Sequence, residues 1–218
     1  MPVASLNKLA VPLPGGGQSA TNQGMLMPKL KYRFRVTLQN FGVSTPRTEI
    51  TKQVMTCTRP ELSFETMTLD VYNSKIKYAG KPSWADVTLV VRDDVSNAVA
   101  KLVGEQVQKQ FDFFEQASAA SGIDYKFTAL IELLDGGNGA FEPTVLESWE
   151  CYGCYLQKVT YQGGDYKSSD PMDISMTITF DNAVQFGQTG ANNITGSSVQ
   201  RPTFSSANAQ ATGGGSTT

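Results

Sequence analysis

Two stretches of this chain alternate apolar and polar side chains without a break. In PKLKYRFRVTL, Leu30, Tyr32, Phe34, Val36 and Leu38 alternate with Lys29, Lys31, Arg33, Arg35 and Thr37. In PMDISMTITFD, Met172, Ile174, Met176, Ile178 and Phe180 alternate with Asp173, Ser175, Thr177, Thr179 and Asp181. Side chains of a strand point to opposite faces in turn, so period two demands a sheet with one packed and one polar face. A helix would scatter the same apolar residues around its whole circumference. Both ends of the folded region are therefore predicted to be sheet.

The sequence between them reads mostly as strand. EITKQVMTCT, residues 49–58, is expected to be a strand stopped by Arg59 and Pro60, since proline donates nothing to a ladder. In ELSFETMTLDVYNSKIKYAGKPSW a turn is expected at Asn73–Ser74 and a second at Gly80–Pro82. WADVTLVVRDD follows as a strand with Val87, Leu89 and Val91 on one face. Asp93 or Asp94 can cap a helix. From there Val95, Val99, Leu102, Val103, Phe111, Phe113, Phe114 and Ala117 recur at helical spacing, with Gly122 as the expected C-cap. Strands resume with YKFTALIELLD, a turn at DGGNG (135–139), and TVLESWECYGCYLQKVTYQ.

The predicted fold class is mainly β: an antiparallel β-sandwich or barrel-like domain with one flanking amphipathic α-helix. Residues 1–28, rich in Pro, Gly and Ser, are expected to be an extended N-terminal arm. Residues 29–184 are the β domain. Residues 185–218 form a Gly/Ser/Thr-rich tail too poor in apolar side chains to fold alone. Asn193-Ile194-Thr195 fits a glycosylation sequon, which carries weight only in a secreted protein. Pro2, Pro12 and Pro14 interrupt the apolar N-terminal stretch, so no secretory signal is expected, and no apolar run approaches the ~20 residues of a membrane span.

The residue inventory narrows the chemistry. Histidine is absent, which removes the commonest general base and metal ligand. CYGC, Cys151 to Cys154, has the spacing of a redox pair or half a zinc site. A redox pair needs its first cysteine at a helix N-terminus, whereas the flanking Trp149, Tyr152, Tyr155 and Leu156 favour a strand. A zinc site needs four ligands, and Cys57 is the only other cysteine. Both cysteines are read as small core residues around a bulge or bend at Gly153. GGG at 15–17 and DGGNG fit no phosphate-binding pattern, and the carboxylates are scattered. No catalytic, cofactor-binding or metal-binding residue is nominated, and no cofactor. The face bearing Lys29, Lys31, Arg33 and Arg35 holds no aromatic side chain to stack bases, so it is read as a solvated or subunit-contacting face. Charged residues are only 17% of the chain, which suits a surface covered by other subunits.

The order of these elements resembles the tail tube proteins of contractile-tailed bacteriophages. The resemblance is carried by YRFRVTL, by CTRPELSFE leading into VYNSKIKYAGKPSWADVTLVVRDD, by the aromatic-bearing helix, and by WECYGCYLQKVTYQGGD followed by DISMTITFDNA. It covers roughly residues 29–184; the arm and the tail depart from the family's compact pattern. Haemolysin-coregulated proteins of type VI secretion share the architecture.

The resemblance implies a non-enzymatic structural subunit of the virion tail. Hexameric rings would stack into a tube whose joined inner sheets surround a channel for DNA ejection. The implied partners are further copies of the chain, a sheath protein, baseplate and tail-terminator proteins, and double-stranded DNA in transit, with assembly in the bacterial host cytoplasm. The alternatives are a secretion-system tube protein, and a thiol- or metal-binding domain using the C-x-x-C. Residues 60–82 correspond to the family's extended hairpin, which places Leu62, Phe64, Leu69, Tyr72, Ile76 and Tyr78 between subunits. A DNA conduit should lack a basic wall. The polar, mildly acidic face of Asp173, Ser175, Thr177, Thr179 and Asp181 is accordingly expected to face the lumen.

Overall fold

A computed structural model describes residues 28–44, 48–136 and 143–187. The expected arm up to residue 27, the tip of the DGGNG turn, and the tail beyond residue 187 with its sequon lie outside these residues.

Two compact units divide at Arg33. In the first, the described residues 28–33 contain a turn at Lys31–Tyr32, with the Arg33 N–H donating to the Leu30 carbonyl at 3.2 Å. The Arg33 guanidinium lies 5.4 Å from the centre of the Tyr32 ring. This corrects one expectation: the strand begins at Phe34, so Lys29, Lys31, Arg33 and Arg35 do not share one strand face.

The second unit is mainly antiparallel sheet. Its strands are β1 (Phe34–Gln39), β2 (Val54–Cys57), β3 (Glu61–Val71), β4 (Ser74–Ala85), β5 (Val87–Arg92), β6 (Phe111–Asp112), β7 (Ala117–Ser118), β8 (Phe127–Leu134), β9 (Val145–Tyr161), β10 (Asp173–Thr179) and β11 (Asn182–Phe186). Its helices are α1 (Thr48–Gln53), α2 (Ala98–Gln110) and α3 (Gly122–Tyr125). The main sheet runs β1-β8-β9-β10-β5-β2, with β11 also paired to β9.

The long β9 joins the two halves of this sheet. Its first part pairs with β8 and β11, its last part with β10. The change comes at Gly153. There the register skips, so that Tyr152 and Gly153 together oppose Thr128, and Gly153 takes φ +68°. That backbone region favours glycine. The expected bend at CYGC is therefore present, and it is where the sheet turns a corner.

The core follows the alternation. Val36 and Leu38 of β1, Val87, Leu89 and Val91 of β5, and Ile174, Met176 and Ile178 of β10 are buried with Cys151, Cys154 and Leu156 of β9. Helix α2 adds Val99, Leu102, Val103 and Gln106, spaced i, i+3, i+4, i+7 along one stripe. Gln106 is fully buried, and both ends of its amide are satisfied: it accepts from the Gly42 N–H at 3.0 Å and donates to the Tyr125 carbonyl at 2.7 Å.

Four other local expectations are corrected. Residues 48–53 are helical, burying Ile50, and the strand occupies only Val54–Cys57. The helix ends at Gln110, because the chain at Phe111 becomes extended (φ −151°) and turns back through β6 and β7. Phe113 and Phe114 are exposed on that turn, and Gly122 begins α3 rather than capping α2. Gly80–Pro82 is no turn: β4 runs through it, with Gly80 and Lys81 together opposite Glu65. The hairpin turn sits at Tyr72–Asn73, one residue before its expected place. Asp94 does bind the start of α2, accepting from the Ala98 N–H at 2.9 Å.

Candidate assembly and channel surfaces

Three features of the second unit are candidates for function: the hairpin, the polar face of β10, and the cysteine pair.

The hairpin β3–β4 pairs only with itself among the described strands, forming a two-stranded sheet from Glu61↔Ala85 out to Val71↔Ser74. Every residue of β3 is exposed. The nominated Leu62, Phe64, Leu69, Tyr72, Ile76 and Tyr78 are all exposed, Tyr72 completely. Sequence reasoning missed Met67 and Val71, exposed on the same strand, although the spacing Met67-Leu69-Val71 signalled them. At the root Trp84 packs on Phe180 with ring centres 5.6 Å apart, anchoring the ribbon to the core. A lone two-stranded ribbon in water is marginally stable at best. Its exposed apolar side chains form a surface of the kind that marks protein–protein contact.

On β10, Asp173, Ser175, Thr177 and Thr179 are half-buried and alternate with buried Ile174, Met176 and Ile178. They share one polar face with their cross-strand partners. Asp173 stands opposite Arg92, Ser175 opposite Val90 and Thr160, and Thr177 opposite Thr88 and Lys158. The Thr179 hydroxyl donates to Asp86 Oδ1 at 2.8 Å. Asp86 and Asp173 are thus matched by Arg92 and Lys158. The face is mainly polar, with Val90 and Tyr155 among its residues, and its charges balance, where the strand alone reads as acidic.

Asp181 belongs elsewhere. It lies past the end of β10 at the corner of the sheet, its N–H donating to the Tyr152 carbonyl at 3.0 Å. Its carboxylate accepts from Lys126 Nζ at 2.5 Å and lies over Gly153. Met172, expected to be packed, precedes the strand and is 49% exposed, whereas Phe180 is buried as expected.

Cys151 and Cys154 are buried, and Cys154 Sγ contacts the Cys151 carbonyl at 3.3 Å. Burial pushes the Cys154 thiol up to about 12 and Cys151 higher still. A buried thiol raised this far carries almost no thiolate at neutral pH, and the thiolate is the nucleophilic form. All three cysteines are free, and no group of three or more His, Cys, Asp or Glu among the described residues is placed to hold a metal. No described helix is long and apolar enough to cross a membrane.

No family model matches the chain, and no curated protein matches its sequence. Solved structures do match its fold. A chain of the anti-feeding prophage tube-terminating cap superposes with a TM-score of 0.56 at 18% identity, over 79% of this chain and 99% of that one. A chain of the PVC sheath-tube complex, an extracellular contractile injection system in its extended state, gives 0.52 at 17% identity, over 73% and 92%. A chain of the anti-feeding prophage baseplate gives 0.55 at 13% identity, over 75% and 98%. The fold of this chain is shared with chains from the cap, the sheath-tube complex and the baseplate of phage-tail-like contractile particles.

Proposed function

We propose that the chain is a structural subunit of the tube of a contractile, phage-tail-like particle. Copies close into rings, hexameric by the family pattern, and the rings stack within a sheath between a baseplate and a terminator. The observation that carries this reading is the hairpin: eleven residues of exposed β3 paired to β4 alone among the described strands, on a fold that covers 99% of a tube-terminating cap chain and 79% of this one. Contacts between identical subunits that do not close on themselves generate rings and filaments. They also cover strand edges that would otherwise aggregate.

Within this reading the face of Asp173, Ser175, Thr177 and Thr179 lines the channel. It is polar and carries balanced charge, so it offers passing DNA no basic track on which to bind. The particle is assembled in the bacterial cytoplasm and acts at infection. A second reading is a terminator ring at the tube end, since a chain of a tube-terminating cap is among the structures that share the fold. Electron microscopy of purified, concentrated protein tests both. Long tubes support the tube subunit, single rings the terminator, and monomers at high concentration count against both.

A further inference from the structure

Strands β3 and β4 pair only with each other among the described strands, so the direction in which the hairpin leaves the body is decided at its root. Small errors there are magnified. Strand β3 has eleven residues, about 36 Å of extended chain, so a rotation of about ten degrees at the root moves the tip by about 6 Å. The root is held on both of its strands. On the β4 side the Trp84 ring packs on Phe180 with centres 5.6 Å apart, and the Thr179 hydroxyl donates to Asp86 Oδ1 at 2.8 Å. Both contacts lie at the end of β10. On the β3 side Pro60 is buried, and Arg59 before it brings Nη1 to 3.6 Å from Glu147 Oε1, near the start of β9. A mount on one strand leaves a ribbon free to pivot. Mounts on two strands fix its direction.

Glu147 is the most buried of the described carboxylates, 4% exposed, on the face of β9 that carries Trp149 and Cys151 into the core. Its Oε1 accepts from Trp149 Nε1 and from Gln185 Nε2, both at 2.8 Å. Trp149 and Gln185 stand opposite each other in the β9–β11 ladder, so the carboxylate is held from its own strand and from its neighbour. A neutral glutamine could accept from the same two donors without the cost of burying a charge. The charge acts only toward a cation, and Arg59 is such a cation. The Arg59 side chain is 59% exposed, so the pair adds little to the stability of the fold. What it supplies is a fixed point for the chain entering the hairpin.

We propose that Glu147 is a positioning residue that sets the direction of the hairpin, acting through Arg59. The pair works within one chain, before any second molecule is met. The inference therefore does not depend on what the hairpin later contacts, and it stands or falls apart from the tube reading.

The test measures the direction itself. Ketone-bearing residues in place of Asn73 at the hairpin tip and Gln108 on α2 carry nitroxide labels and leave the native cysteines untouched. Labelled chain is diluted into an excess of unlabelled chain, assemblies are removed by pelleting, and the distance distribution within one chain is read by double electron–electron resonance. Wild type and Arg59→Lys, which keeps the charge, should give the same narrow distribution. Glu147→Gln and Arg59→Gln should shift or broaden it by about 6 Å or more while circular dichroism stays that of the wild type. The double variant should be no broader than either single, because each removes the same contact. If Glu147→Gln fails to fold, the exposed Arg59 decides the matter alone. An Arg59→Gln distribution as narrow as the wild type's overturns the inference. So does an Arg59→Lys distribution as broad as that of Arg59→Gln, or a wild-type distribution that is already broad.

Discussion

The side-chain amide of Gln110 pairs with the backbone of Leu156 as another strand would. Its Oε1 accepts from the Leu156 N–H and its Nε2 donates to the Leu156 carbonyl, both at 2.9 Å. Leu156 lies just past the bend in β9, where β10 holds the opposite edge. The last residue of α2 thus closes an edge that would otherwise present a free donor and acceptor. Gln110→Ala leaves both groups without their partner in a partly buried setting. A loss of about 1–3 kcal/mol is expected in chemical denaturation of the subunit. An unchanged denaturation midpoint would show that water replaces the amide at no cost.

Gly153 and Asp181 form the second joint. Gly153 has φ +68°, and a Cβ there would collide with the Asp181 carboxylate. The left-handed backbone alone costs an L-residue about 1–2 kcal/mol. Gly153→Ala should exceed that, since it also displaces Asp181 from Lys126. Combining it with Asp181→Ala removes the collision, so the double variant should be less destabilised than the sum of the singles. Strict additivity in thermal unfolding would argue against the contact.

Glu105 ties the segment after β1 to α2. It accepts from the Ser44 hydroxyl at 2.5 Å and from the Ser44 and Val43 N–H groups at 2.7 and 2.8 Å. These bonds, that of the Ser44 hydroxyl foremost, lower its pKa from 4.5 to about 2. A carboxylate with a depressed folded-state pKa contributes stability above its unfolded value and loses it as pH falls. The contribution should be complete above about pH 5 and fade between about 4.5 and 2. Glu105→Gln should melt lower than wild type at neutral pH, and the gap should narrow toward pH 2. A gap independent of pH would show that the charge is not involved.

The cysteines should be chemically silent. Folded protein should resist thiol reagents at neutral pH at Cys151 and Cys154, and unfolded protein should react fully. Replacing both with Ala should cost about 1–3 kcal/mol per site in subunit stability and leave assembly intact. Stoichiometric zinc in the purified protein, or loss of assembly on chelation, would restore the C-x-x-C as a functional site.

Period-two patterning made β5 and β10 legible, because one face of each is core and the other polar. The bend at CYGC was legible for a related reason: a glycine in an otherwise bulky strand can take the left-handed backbone that a bulge requires. The failures are also physical. Phe111, Phe113 and Phe114 continue the helical spacing of Leu102 and Val103, but the chain leaves the helix at Phe111 and turns back with Phe113 and Phe114 exposed. Gly80-Lys81-Pro82 has turn composition, yet in a bulged strand the same residues supply an extra position and a missing side chain. Lys29 to Arg35 alternate perfectly, but the turn at Lys31–Tyr32 delays the strand, and Arg35 meets the nearly buried Glu132 at 2.6 Å. The charge of the β10 face was beyond any single strand. It depends on Arg92 and Lys158, which only the sheet order brings beside Asp173 and Thr177.

That charge balance sets the last prediction. In the proposed channel wall, Asp86 and Asp173 offset Arg92 and Lys158, while Ser175, Thr177 and Thr179 supply short polar side chains. Passing DNA then meets no net attraction strong enough to hold it. Changing Asp86 and Asp173 together to Lys leaves four cations and no anion on the face. Repeated around a ring and along a tube, these form a basic track that binds phosphates and releases counterions, so the effect should weaken as salt rises. Asp181 is left untouched, because its pairing with Lys126 would mix a folding defect into the result. The double variant should still form tubes, since these side chains lie on the polar face rather than in the core. Purified tubes should retain double-stranded DNA at low salt where wild-type tubes do not, and particles carrying the variant should deliver DNA less efficiently. Tubes that retain no more DNA than wild type, with delivery unchanged, would place this face away from the channel.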